Sequence, residues 1–259
     1  MALSEVGAGS QRAVGDNSAD SLAVAFPANV GAGRLLIAAG AAFLGGGGPA
    51  SIIVTDTLGT SYVVLSAVSG DLRVFVAYGV SPSGGANTIT MNPSGAATGN
   101  FMAIDEFSGQ HATPLDVDGG SSTGVAQSAQ SDDLTTLTTD DLIIGVMSHV
   151  SADTAITEGG SYTLIGEQES NANQAGSVVF RLVTTAQAYT VNWTTVGNVD
   201  WIVYTAAFKP AAAEPAAMAS VGPGQEPYAR NVKSREARGL LVGAFPRRTT
   251  SGSHRRRVE

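Results

Sequence analysis

The chain has 259 residues, of which 43% are hydrophobic, only 14% are charged and 32 are glycine, and its formal net charge is −8. It has no cysteine, which excludes a disulfide framework, a thiolate metal site and a cysteine nucleophile. Low charge with abundant Gly, Ser, Thr and Val disfavours helices and favours short strands joined by tight turns, so the expected class is all-β.

The opening Met1-Ala-Leu-Ser-Glu-Val has neither the basic nor the apolar region of a secretory signal, and residues 1–20 read as an N-terminal arm. Strands are expected at Leu22–Phe26, Arg34–Phe43, Ser51–Thr55, Ser61–Ala67, Leu72–Tyr78, Thr88–Met91 and Asn100–Phe107. The run Leu35–Leu44 inside the second of these is the most apolar stretch. It is about half of the ~20 residues a membrane helix requires, so no membrane association is expected. After a short polar link at Ser121–Gln130, strands resume at Asp141–Ser148, Tyr162–Glu167, Ser177–Val183, Tyr189–Thr194 and Asp200–Phe208. Turn signals separate them, among them Gly45–Pro49, Asp56–Gly59, Ser81–Asn87 and Gly159-Gly160. No helical run intervenes, which argues for a sandwich and against βαβ units.

Five segments recur in the same order. Leu35-Leu36-Ile37 is echoed by Leu142-Ile143-Ile144, Ser61-Tyr62-Val63 by Ser161-Tyr162-Thr163, and Val74-Phe75 by Val179-Phe180. Thr88–Met91 is echoed by Thr190–Trp193 and Asn100–Ala103 by Asp200–Val203, with offsets between 100 and 107. Five echoes in order indicate a duplicated half, about 21–115 and 130–210. A small domain hides proportionally less of its surface, so one sandwich over 21–210 built from both halves is expected.

Beyond Pro210 the strand pattern stops. Lys209-Pro-Ala-Ala-Ala-Glu-Pro is a linker by composition, and 211–259 is a Pro-, Gly- and Arg-rich tail. After residue 211 nine basic side chains face four acidic ones, a net of +5 that leaves −13 on residues 1–211. Body and tail therefore read as two parts with two tasks. Arg230, Lys233, Arg235, Arg238, Arg247 and Arg248, with the apolar Leu240, Leu241 and Phe245, are the candidate partner-binding residues. Without interleaved aromatics they offer no readout of nucleic-acid sequence, so a protein partner is expected over a specific nucleic acid.

Catalytic patterns are missing. The chain has no HExxH, GxSxG or phosphate-binding glycine motif, and its three histidines are His111, His149 and His254. His149 with Asp153 makes a base and orienter only on paper; a surface or loop histidine is the expectation. Asp105 and Glu106 are adjacent, so in a strand they point to opposite faces and cannot act as a glycosidase pair; one is expected at the sheet surface or near a strand end. Asp116 and Asp118, followed by two glycines, are candidate Ca²⁺ ligands, but the later ligands of an EF-hand loop are missing. Asp132-Asp133 and Asp140-Asp141 are further loop acids, and the expectation is solvated turn acids with no cofactor. Trp193, Trp201, Tyr62, Tyr162 and Tyr78 lie amid apolar strand residues and are expected in the core, not on a sugar platform.

The segments GRLLIAAGAAF (33–43), VTDTLGTSY (54–62), FVAYGVSPSGGANTITM (75–91), MAIDEFSGQHATPLD (102–116), TTDDLIIGV (138–146), SYTLIGE (161–167) and WIVYTAAFKP (201–210) resemble a jelly-roll-type β-sandwich module. Such modules occur in tailed-phage virion proteins and in bacterial secreted proteins, and the resemblance spans roughly 20–210. It marks a fold and carries no site residues across. It implies a non-enzymatic virion structural protein, a capsid decoration, head-fibre or tail-associated subunit, held to capsid or tail subunits by its tail and forming a homo-oligomer. The alternative it leaves open is an extracellular carbohydrate-binding or adhesive module for a host-surface glycan.

Overall fold

The computed structural model describes residues 2–46, 49–95, 97–151, 155–171 and 174–212. Those residues form an all-β sandwich of antiparallel sheets. The first half holds β1 (Ser4–Glu5), β2 (Ala13–Asn17), β3 (Leu22–Ala25), β4 (Leu35–Phe43), β5 (Ile52–Asp56), β6 (Val63–Ser69), β7 (Leu72–Val80), β8 (Thr88–Pro93) and β9 (Gly99–Ser108). The second holds β10 (Gln110–Gln130), β11 (Leu134–Thr135), β12 (Leu142–His149), β13 (Ile156–Glu158), β14 (Thr163–Asn171), β15 (Gln174–Leu182), β16 (Ala188–Tyr189) and β17 (Asn192–Pro210).

The duplication expected from the sequence is carried by the topology. The large sheet of the first half runs β9-β4-β7-β6, with β1 and β2 on the free side of β9. The large sheet of the second half runs β10-β17-β12-β15-β14. Each strand has its counterpart: β9 and β17, β4 and β12, β7 and β15, β6 and β14. A smaller sheet, β3-β8-β5, is matched by the β11-β16 pair and by β13 on the start of β17. Within each half the strand order is that of a jelly roll, except that β6 and β14 join the large sheet.

The halves stack in four layers, small sheet, large, large, small. One core lies between the two large sheets and includes Leu35, Ile37, Val76, Phe101, Leu142, Ile144, Val178 and Ile202. A second lies between the first large sheet and its small sheet, around Leu36, Phe75, Met102, Ile89 and Met91. A third fills the same place in the second half, around Ile143, Met147, Val179, Val191 and Trp193. The antiparallel β-sandwich expected from two duplicated halves is thus present, and each half adds a small outer sheet to it. The reason is in the strands themselves. β4 and β12 are apolar on both faces and buried along nearly their whole length, so each large sheet has two faces to cover.

Two segments differ from expectation. Residues 1–20, expected as an arm, contribute β1 and β2 to the edge of the first large sheet, and Leu3 is buried. The expected link at Ser121–Gln130 is the second part of β10, which follows β17 from Pro210 back to Asn192 through four register shifts. An edge strand is buried on one side only, so its Ser, Thr and Gly residues give no apolar run to read.

The registers relate the halves by a pseudo-twofold axis. Leu35 pairs with Val80 and Phe107, and Leu142 with Leu182 and Phe208. Taking Leu35 as equivalent to Leu142 makes Phe107 equivalent to Phe208 and Tyr78 to Phe180. Across the central core Tyr78 meets Phe208 edge-on at 5.0 Å, and Phe107 meets Phe180 at 5.3 Å. One aromatic contact is made twice, as in an isologous dimer interface, here inside one chain.

Candidate functional site

Polar chemistry gathers at several places among the described residues. The first is an ion cluster where the halves meet. Arg12 on the loop into β2 donates to Glu5 at 2.6 Å and stands 3.5 Å from Asp105 on β9. Its Nη1 donates to the Leu164 carbonyl of the second half, and its guanidinium lies 5.1 Å from the Phe180 ring centre. Burial raises the Asp105 carboxyl to about 8 even with Arg12 beside it. Asp105 and Glu106 do point to opposite faces, but the expectation of a surface carboxylate is corrected: both are buried. Glu106 accepts from the Gly31 amide at 2.9 Å and lies 3.8 Å from Arg34. Both faces of β9 are covered, so alternation sends each acid into a core, not out to water.

The second place holds the candidate Ca²⁺ residues. Asp116 sits at a register shift of β10 and accepts from the Leu137 amide at 2.7 Å. Asp118 accepts from the Gly120 amide and, at 2.6 Å, from the Tyr204 hydroxyl. Burial first, and then that hydrogen bond, push the Tyr204 hydroxyl up. Asp141 lies near Asp116, accepts from the Thr138 hydroxyl, and is raised to about 7, first by burial. Among the described residues no group of three His, Cys, Asp or Glu side chains is arranged to hold a metal. The carboxylates are engaged by donors of their own chain.

The third is His149 at the end of β12. It was expected on the surface and is instead buried, with neither ring nitrogen hydrogen-bonded. Burial lowers it to about 4, so it is neutral at physiological pH. Its neighbours across the sheet are Ala175 and Trp201. Asp153, its imagined partner, lies outside the described residues. Trp193, Trp201 and Tyr78 are buried and Tyr62 and Tyr162 are half-buried, so these rings form no exposed platform.

The fourth is a cleft of about 360 Å³ between the β6–β7 hairpin of the first half and β10 and β17 of the second. Gly70, in a left-handed conformation, closes the hairpin and brings Ser69 and Asp71 to the rim. Thr123 and Val125 on β10 and Asp200 on β17 form the opposite wall. No sequence signal marked this cleft, because its walls are 50–130 positions apart and meet only when the halves stack.

The expected partner-binding residues Arg230, Lys233, Arg235, Arg238, Leu240, Leu241, Phe245, Arg247 and Arg248 all lie outside the described residues. No helix among the described residues is long and apolar enough to cross a membrane. No family model, no curated protein and no solved structure matches the chain.

Proposed function

We propose that this chain is a non-enzymatic structural subunit of a bacteriophage virion, a capsid decoration, head-fibre or tail-associated protein. Its stacked jelly rolls are the body and its basic C-terminal segment the attachment to neighbouring subunits. The observation that carries this reading is the division of labour between fold and charge. Arg12 contacts Glu5 and Asp105 in its own half and the Leu164 carbonyl of the other, an internal contact that ties the halves together. The body bears −13 while residues 212–259 bear +5. Opposite charges on two parts of one subunit favour ordered association of copies or of unlike neighbours, and they steer encounter more than they set affinity.

The test compares full-length protein with residues 1–211 by light scattering and by co-sedimentation with phage particles. The expected result is that only the full-length chain oligomerises or joins particles, while the truncated chain keeps the melting profile of the body. A truncated chain that assembles as well as the full one refutes the attachment role of the tail.

A further inference from the structure

The pseudo-twofold axis relates several walls of the cleft between the halves to described residues at the opposite end of the interface, and those side chains differ. The strand registers make Thr123 equivalent to Asp16, Ile202 to Phe101, Leu72 to Gln174 and Ala67 to Gln168. At the far end described side chains of the two halves meet directly. Gln168 donates its amide to the Asp16 carboxylate at 2.9 Å, and the buried Gln174 reaches toward the Ala41 carbonyl. The fully buried Phe101 ring packs beside Gly176. At the near end these side chains are replaced by shorter or apolar ones, and the space is the cleft of about 360 Å³.

What the far end holds indicates what suits the near end. Its occupant is a neutral hydrogen-bond donor set against an acid, beside an apolar surface. The near end has on its polar side the Asp71 carboxylate, whose Oδ1 already accepts from the Gly46 amide at 3.1 Å, the Asp200 carboxylate, and the Ser69 and Thr123 hydroxyls. Val125 and Val150, exposed by 70% and 42%, line its apolar side. Acceptors on one wall and aliphatic carbon on the other match a ligand with hydroxyl donors on its rim and C–H bonds on its face. The volume falls at the small end of the roughly 300–1,000 Å³ usual for small-molecule pockets, which suits a mono- or disaccharide unit.

We propose that the cleft between the β6–β7 hairpin and strands β10 and β17 is a saccharide-binding site, with Asp71, Asp200 and Thr123 accepting or donating to sugar hydroxyls. Val125 and Val150 supply the surface on which the sugar ring rests. The site belongs to the body alone and stands independently of the tail's role in assembly, so each idea can fail without the other.

The experiment is protein-observed NMR on the full chain, titrated to high millimolar with glucose, galactose, mannose, N-acetylglucosamine and disaccharides of each. At least one sugar is expected to give saturable shifts confined to the amides of Ser69–Leu72, Thr123–Val125 and Asp200–Ile202. The double variant A67Q/T123D sets the far-end Gln–Asp pair against the Thr123 wall of the cleft, and it should abolish those shifts with the rest of the spectrum unchanged. D200A, at an exposed position, should weaken binding at least tenfold and guards against a plugged variant that fails to fold. The proposal is overturned if no sugar produces saturable shifts there, or if A67Q/T123D folds and binds like the parent. It is also overturned if a synthetic peptide of residues 228–248 shifts the cleft while the sugars do not, which would make it a basic-peptide site.

Discussion

Replacing Phe208 with alanine removes a side chain with no exposed surface and one of the two aromatic contacts that clasp the halves. Truncating a buried phenylalanine costs about 3–5 kcal/mol, from lost transfer free energy and the cavity left behind. That is a large share of the roughly 5–15 kcal/mol by which a domain is stable. For a body of this size each kcal/mol moves the melting temperature by about 2–4 °C, so F208A should melt roughly 6–20 °C lower. Phe107 is equally buried and holds the equivalent position against Phe180. F107A should therefore cost the same within about 1 kcal/mol, although it lies in the other half. The assay is urea unfolding followed by tryptophan fluorescence and by far-UV circular dichroism. Both tryptophans, Trp193 and Trp201, lie in the second half, whereas the dichroism reports on both halves. Coincident transitions, displaced together by either substitution, are expected of a single cooperative unit. A double cycle on Phe107 and Phe180 should return a coupling of about 0.5–1.5 kcal/mol. If the parent protein unfolds in two resolved steps and F208A moves only one, the halves are independent and the clasp does not join them.

Stability should depend on pH through two buried groups with opposite signs. Folding raises Asp105 from 3.8 to about 8, so the native chain keeps a proton that the unfolded chain releases, and stability falls as pH rises across that range. Folding lowers His149 from 6.5 to about 4, so its contribution is complete above 6.5 and is lost as pH falls toward 4. In urea midpoints measured from pH 4 to 9, D105N should flatten the alkaline limb and H149F the acid limb. A D105N protein with the parent's alkaline slope would show that Asp105 is ionised in the fold. G40A should prevent soluble expression or cost more than the about 1–3 kcal/mol typical of overpacking, because its Cβ would stand 2.0 Å from the Phe101 carbonyl oxygen. G160A, with open space around the new methyl, should stay within about 0.5 kcal/mol of the parent.

The strands buried on both faces are the ones the sequence marks most clearly. Leu35–Phe43 and Leu142–His149 each lie at the centre of a sheet covered on both sides, and their echo has the true register. The echo of Asn100–Ala103 in Asp200–Val203 is displaced by one residue, since the pairing sets Phe101 against Ile202. A slip of one reverses the face of every side chain, and short apolar runs cannot reveal it when both faces are apolar. Ser121–Gln130, the second part of β10, reads as a link in the sequence because it is polar and gives no apolar run. One of Asp105 and Glu106, and His149, are expected outside for a similar reason, yet all three are buried. A titratable residue in a strand reads as exposed unless the layer that covers it is known.

Fusion of the two jelly rolls has a consequence for what the molecule can evolve. In a dimer of identical chains a twofold axis makes every interface feature appear twice, so a plug at one end is a plug at both. Joined through Gly109, the halves are free to differ. The aromatic clasp shows where they have not: Tyr78 with Phe208 and Phe107 with Phe180 keep the same edge-on geometry, because each holds the same two sheets together. The ends of the interface show where they have. Gln168 and Gln174 make polar contacts at one end, where Phe101 packs beside Gly176, and Leu72, Thr123 and Ile202 line the cleft at the other. The closed end adds contacts between the halves and the open end gives them up. Stability alone would favour closing both, and an interface that has kept the clasp has no structural need of the opening. The cleft is therefore the place on this body where selection for something other than folding is expected to be found.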